Sequence, residues 1–140
     1  MRYLLAICLL FSPLFAEELL FVLHAKEARY DGGDLILEDI DNTVTYFTQP
    51  PQRQAGKMVL SKFLEVYFKQ KRDIEAGFVF FSDDGRHYTD VPITVLRAHY
   101  DETKRRLYLR IDELSKDHPL GKKMEEVNLF IDHIDYEGAL

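Results

Sequence analysis

Residues 106–112 read Arg-Leu-Tyr-Leu-Arg-Ile-Asp, so that every second side chain is apolar. Because successive side chains of a strand point to opposite faces, Leu107, Leu109 and Ile111 share one face and the polar residues share the other. Antiparallel sheets commonly bury one face and leave the other in solvent. The segment therefore predicts a half-buried strand of an antiparallel sheet.

Short runs of the same kind recur along the chain, separated by turn residues. The other predicted strands are 19–26, 35–37, 44–48, 77–81, 92–96 and 127–131. The paired glycines Gly32 and Gly33 supply the left-handed backbone of a tight turn between the first two strands. Pro50 and Pro51 cannot donate to a ladder, so the chain leaves the sheet there.

One short helix interrupts the strands. Ser61 is expected to be its N-cap. Four apolar side chains follow at helical spacing: Phe63, Leu64, Tyr67 and Phe68. With about seven strands and no regular alternation of strand and helix, we expect a mainly β fold, an antiparallel β-sandwich or small barrel, in one domain over residues 17–140.

Residues 1–16 have the three parts of a secretion signal. Arg2 supplies the positive charge, residues 3–11 form an apolar run, and Ala16 is a small residue at the expected cleavage point. The run is less than half of the about 20 residues that a membrane-spanning helix needs. We expect a periplasmic or secreted bacterial protein, with retention of the signal as an anchor as the alternative.

Composition excludes several classes of function. The chain of 140 residues is 46% hydrophobic and 30% charged, as globular proteins are. Its one cysteine, Cys8, lies in the signal, so the exported chain has no disulfide and no cysteine nucleophile. The formal charge of −6 argues against nucleic-acid binding. We expect no cofactor.

The most distinctive stretch is Tyr46-Phe47-Thr48-Gln49-Pro50-Pro51-Gln52-Arg53-Gln54-Ala55-Gly56-Lys57-Met58. It resembles a segment, Tyr-Phe-Ser-Asp-Arg-Pro-x-Arg-x-Ala-Gly-x-Met, of a widespread family of small exported bacterial proteins. The resemblance implies export and a β-rich fold, and it implies no activity, because the family has none established. Gln49 and Pro50 stand where the family pattern has Asp-Arg.

The shared residues have an architectural interpretation. They are Tyr46, Phe47, Pro51, Arg53, Ala55, Gly56 and Met58. Pro51 would force the exit from the sheet, Gly56 would permit a backbone bend, and Met58 would fill an irregular gap in the core. Arg53 would tie the crossover loop with its fork of donors, or bind a ligand with it.

No catalytic or metal-binding pattern is readable. The three serines after the signal, Ser61, Ser82 and Ser115, lie outside any nucleophile-elbow motif. The histidines, His24, His87, His99, His118 and His133, have no zinc-like spacing. Acidic turns fit no EF-hand loop, and they stabilise turns by themselves. We predict no metal and no enzyme activity.

A basic hairpin is the candidate binding surface. Tyr108 lies between Arg106 and Arg110 on one face of a strand, and Arg97 belongs to the same predicted hairpin. With Arg53, these residues suit an anionic glycan, a lipid headgroup or an acidic partner. The alternative is a solvated face whose charges discourage edge-to-edge pairing.

We therefore expect a non-enzymatic binding or interaction module of the bacterial envelope. Its partner would be an envelope protein, an anionic glycan or a lipid headgroup. The first alternative is a small periplasmic hydrolase or sugar-active enzyme that uses acidic residues brought together only by the fold. The second is a membrane-associated envelope factor, if the signal is not cleaved.

Overall fold

The structure, a computed structural model, describes residues 19–48, 54–68, 73–81, 88–114 and 116–132. Within these residues lie eight strands and one short helix. The strands are β1 (Leu19–Asp31), β2 (Asp34–Ile40), β3 (Thr43–Thr48), β4 (Ala55–Val59), β5 (Ile74–Phe81), β6 (Tyr88–Asp101), β7 (Arg106–Ile111) and β8 (Met124–Ile131). The helix, α1, is an α-helical turn, Leu60–Phe63, that continues as a π-helical turn, Leu64–Phe68.

The strands pair in a ring. Antiparallel ladders run in the order β2, β7, β6, β5, β8 and β1, and β1 pairs in turn with β2. The start of β1 pairs instead with β3, so the β3–β4 hairpin extends from the ring. The predicted mainly β, antiparallel fold is confirmed. Of the two expected arrangements, a sandwich and a small barrel, the closed ring of ladders resembles the barrel.

The core fills the inside of this ring. Leu107 and Leu109 are fully buried and Ile111 is nearly so, which confirms the alternation predicted for β7. The other fully buried large side chains come from four strands and α1: Phe21, Leu23, Leu35, Leu37, Ile40, Leu60, Phe63, Phe78, Met124 and Leu129. No polar side chain of the described residues is buried.

Three neighbouring strands change their buried face at one level of the ring. Each has two consecutive outward residues there: Lys26-Glu27 in β1, Glu38-Asp39 in β2 and Glu125-Glu126 in β8. The registers align the three pairs. Asp39 (φ 56°) and Glu126 (φ 47°) take the left-handed backbone of bulged residues. Aligned bulges bend a sheet sharply, and this bend lets a ring of so few strands close.

The helix packs aromatic rings on the start of β1. The Phe21 ring centroid lies 4.8 Å from that of Phe63 and 4.9 Å from that of Tyr67. Phe68 is also buried and lies 5.4 Å from Phe63. The predicted apolar stripe is therefore the packing face of α1.

One strand was not predicted and one local prediction was wrong. The about seven predicted strands do not include β4, because Gly56 and Lys57 interrupt the apolar alternation of this half-exposed edge strand. Ser61 is not the N-cap: Val59 holds that position without a side-chain bond. The carbonyl of Asn42 accepts a hydrogen bond from the amide of Leu60 at 2.8 Å. A backbone group therefore satisfies one of the free amides at the start of the helix, a role expected of a capping side chain.

Candidate binding site

The predicted basic hairpin is β6–β7, and its candidate residues point outward. The described ones are Arg97, Arg106, Tyr108 and Arg110. In register, Arg97 pairs with Arg110 and His99 with Tyr108. Arg53 lies outside the described residues, so the structure does not place it relative to this face.

Carboxylates of β2 hold two of the arginines. Arg110 Nε lies 3.1 Å from Asp34 Oδ1, and Arg106 Nε lies 3.3 Å from Glu38 Oε1. Both pairs are open to solvent, which screens them, so they add little to the stability of the fold. They leave Arg106 and Arg110 less available to an outside anion.

Tyr108 is tied into the same face. Its hydrogen bond with Arg106, followed by the nearby carboxylate of Glu38, raises the pKa of that guanidinium beyond its already high value. The rings of Tyr108 and His99 meet edge to face, 6.1 Å apart. The centre of the predicted surface is thus an internally bonded patch.

Arg97 differs from the other two arginines. It is exposed and forms no ion pair with any residue that the structure describes. The register of β6 against β7 shifts between Val95 and Arg97, so that Leu96 and Arg97 are two successive exposed residues at a bulge. β7 lies between Arg97 and the β2 carboxylates that pair with the other two arginines.

Arg97 lines a groove between α1 and the second half of β6. The groove has a volume of about 610 Å³. Its apolar lining is Leu64 and Phe68 of α1 with Leu96 and Ala98 of β6. Its polar lining is Ser61, Glu65, Arg97, His99, Tyr100 and Glu102. Apolar walls with a few polar groups are the usual make-up of a binding site.

The pKa of Tyr100 is shifted by the surroundings of its hydroxyl in this groove. Burial raises the pKa of its hydroxyl above the usual 10.0. The carboxylate of Glu102 raises it further, and the guanidinium of Arg105 opposes that rise. The hydroxyl therefore keeps its proton in the fold at a pH where an unfolded tyrosine loses it.

A second, larger groove lies on the outside of β5, β6 and β8. It has a volume of about 960 Å³ and four carboxylate residues in its lining: Asp73, Glu75, Asp90 and Asp132. All four are exposed. Two-carboxylate enzymes separate acid from base by giving the two groups different environments, often by burying one of them, whereas all four of these groups are exposed.

The distinctive segment forms the β3–β4 hairpin. Tyr46 lies opposite Gly56, Phe47 opposite Ala55, and Val44 opposite Met58. A Cβ on Gly56 would lie 2.5 Å from the Tyr46 ring, so the ring occupies the space above the glycine. The expected backbone bend is therefore not the reason for this glycine: its backbone is ordinary strand, and the tyrosine ring requires it.

The rest of the segment closes the hairpin. Thr48 donates its amide to the carbonyl of Gln54 at 2.8 Å, and its hydroxyl accepts from the Gln54 amide at 2.6 Å. Met58 is half-buried and packs against the core. Pro51 lies outside the described residues with Arg53.

One interaction had no signal in the sequence. His24 lies between two carboxylates, with Nδ1 3.3 Å from Asp41 and Nε2 3.0 Å from Glu126. The two acids contact opposite ring nitrogens, so they do not converge on one ion. No group of three or more potential ligands among the described residues is placed to hold a metal.

No helix of the described segments is long and apolar enough to span a bilayer.

The chain matches no protein-family model, no curated protein and no solved structure. Its function is therefore inferred from geometry and chemistry.

Gly56→Ala should destabilise the fold by about 1 kcal/mol or more, because the new methyl displaces the Tyr46 ring. Urea unfolding measures the effect. In a Tyr46→Ala background the same change should be neutral or slightly stabilising, since alanine suits a strand better than glycine. Gly121→Ala is the control, because nothing lies within 4 Å of its added Cβ. Equal losses in both backgrounds would contradict this packing.

Stability should fall as the pH rises above about 10, since the raised pKa of Tyr100 means that the folded state binds this proton more tightly. The contribution is fully present below pH 10 and is lost as the pH passes the folded-state value. Tyr100→Phe should flatten the fall in unfolding free energy above about pH 10, and Glu102→Gln should flatten it partly. An unchanged profile in Tyr100→Phe would exclude this group as a source.

Proposed function

We propose that the protein is an exported, non-enzymatic binding module of the bacterial envelope that takes an anionic ligand at the groove between α1 and β6. The observation that carries the proposal is Arg97, an exposed cation without an ion-pair partner among the described residues, beside an apolar groove. A guanidinium presents several donors in a fixed fork and suits carboxylate, sulfate or phosphate.

The neighbouring residues support a ligand at this place. Leu64 and Phe68 are four residues apart and present one apolar face of α1 to the groove. The apolar part of a ligand that covers this face is removed from water together with the side chains beneath it, which favours binding. The anionic group of the same ligand can then form a charge-assisted hydrogen bond with Arg97. The wider Arg106–Tyr108–Arg110 patch contributes less, since Glu38 and Asp34 already occupy its cations.

The location rests on the start of the chain. The positive, apolar and small-residue parts of residues 1–16 are those of a secretion signal. The resemblance of residues 46–58 to a segment of exported bacterial proteins supports the same compartment. The partner would then be an anionic group displayed in the periplasm or outside the cell.

The hydrolase alternative would use the larger acidic groove. Among the described residues, its lining contains four acidic residues but no serine, histidine, lysine or arginine. That composition favours neither a nucleophile with its base nor recognition of an anionic substrate. Binding at the α1–β6 groove is the better-supported function.

Arg97→Glu should weaken binding of an anionic probe at least about tenfold, because a charge-assisted contact becomes a repulsion. The probes are a heparin oligosaccharide, phosphatidylglycerol vesicles and a short acidic peptide. Titration calorimetry measures affinity, and thermal unfolding should stay within a few degrees, since Arg97 has no ion pair to lose among the described residues.

Lys122→Glu is the matched control, because it makes the same charge change at an exposed loop residue outside the groove. It should leave affinity unchanged. Equal affinity of the unmodified chain and Arg97→Glu for every bound probe, or an equal loss in Lys122→Glu, would overturn the proposal.

A further inference from the structure

The second half of β6 has an open edge. The ladder with β5 ends where Ile74 meets Val95, although β6 continues to Asp101. From Leu96 onward, β7 is the one strand neighbour of β6 among the described residues. The groove beside α1 lies along this edge.

The hydrogen bonds between β7 and β2 show which way the backbone groups of β6 point. The carbonyl of Arg105 accepts from the Ile40 amide at 3.2 Å, and the amide of Ile111 donates to Gly33 at 3.0 Å. Odd-numbered residues of β7 therefore face β2, and the even-numbered ones bond β6, because alternate residues of a strand face opposite neighbours.

Ala98 and Tyr100 consequently turn their backbone away from β7. The even residues Arg106, Tyr108 and Arg110 are opposite odd residues of β6. The amides and carbonyls of Ala98 and Tyr100 thus face the groove that both residues line. No backbone or side-chain bond from the rest of the described chain reaches these four groups.

We propose that the partner is an extended peptide that adds to β6 as an antiparallel strand between β6 and α1. This inference rests on the proposed function of the groove and names the partner class for it. Donor and acceptor pairs that repeat every second residue, roughly 7 Å apart, match a peptide backbone and no feature of a lipid headgroup. Every ladder between the described strands is antiparallel, and the proposed peptide follows the same arrangement.

The residues of β6 predict the side chains of that peptide. Arg97, His99 and Asp101 share the outward face, so the peptide needs an acidic residue opposite Arg97 and a basic one opposite Asp101. Opposite Ala98 and Tyr100 its side chains meet Leu64 and Phe68 of α1, so they should be apolar. In antiparallel order the peptide reads basic, apolar, any, apolar, acidic.

The probe is the capped peptide Thr-Lys-Val-Thr-Val-Glu-Thr, with affinity measured by fluorescence anisotropy against the purified protein. N-methylation of either valine should weaken binding about fivefold or more, because each valine amide donates to β6. N-methylation of the central threonine should have little effect, because its amide faces away. Equal effects at all three positions would overturn strand addition.

Two variants of the chain complete the test. Arg97→Glu should lose the Glu-containing peptide and recover affinity when that glutamate is replaced by lysine. Ala98→Pro removes an amide that faces the groove and not β7, so it should weaken binding with the β6–β7 ladder kept. If N-methylation does not distinguish the valines from the central threonine while binding still depends on Arg97, strand addition is wrong but the function of the groove stands. Failure of every anionic probe would overturn the function of the groove as well.

Discussion

The candidate site depends on a mismatch in strand length. β6 runs from Tyr88 to Asp101, but β5 pairs with it only as far as Val95. Beyond that point the described chain places α1, not a strand, beside β6. The apolar groove, the backbone groups of Ala98 and Tyr100 and the free guanidinium of Arg97 all lie along this uncovered edge.

The rest of the ring is closed, so the core stays buried although one stretch of β6 has an open edge. The left-handed residues Asp39 and Glu126 lie on either side of Lys26 of β1, so the three strands change their buried face together and keep Leu23 and Leu37 inside. A short open edge in an otherwise paired ring presents hydrogen-bonding groups without exposing the interior.

The local sequence pattern predicted most of the strands and the helix. The candidate site depends on how strands distant in the sequence pair with each other, which the local pattern does not show. The alternation of Leu107 and Leu109 identified β7, because burial of every second residue is a property of one strand. The ion pairs of Arg106 and Arg110 were not predictable, since they need the register of β7 against β2, about 70 residues earlier in the chain. The edge strand around Gly56 was missed because its half-exposed pattern is weak. The distinctive segment was found, but the Tyr46 ring over Gly56 needed the hairpin register to explain it.

Amide hydrogen exchange on the free protein tests the open edge most directly. The amides of Ala98 and Tyr100 should exchange far faster than that of His99, because His99 donates to β7 and they face the groove. The contrast between neighbouring residues of one strand separates an open edge from general fraying. Equal slow exchange at all three amides would mean that the edge is already covered, and it would contradict the account.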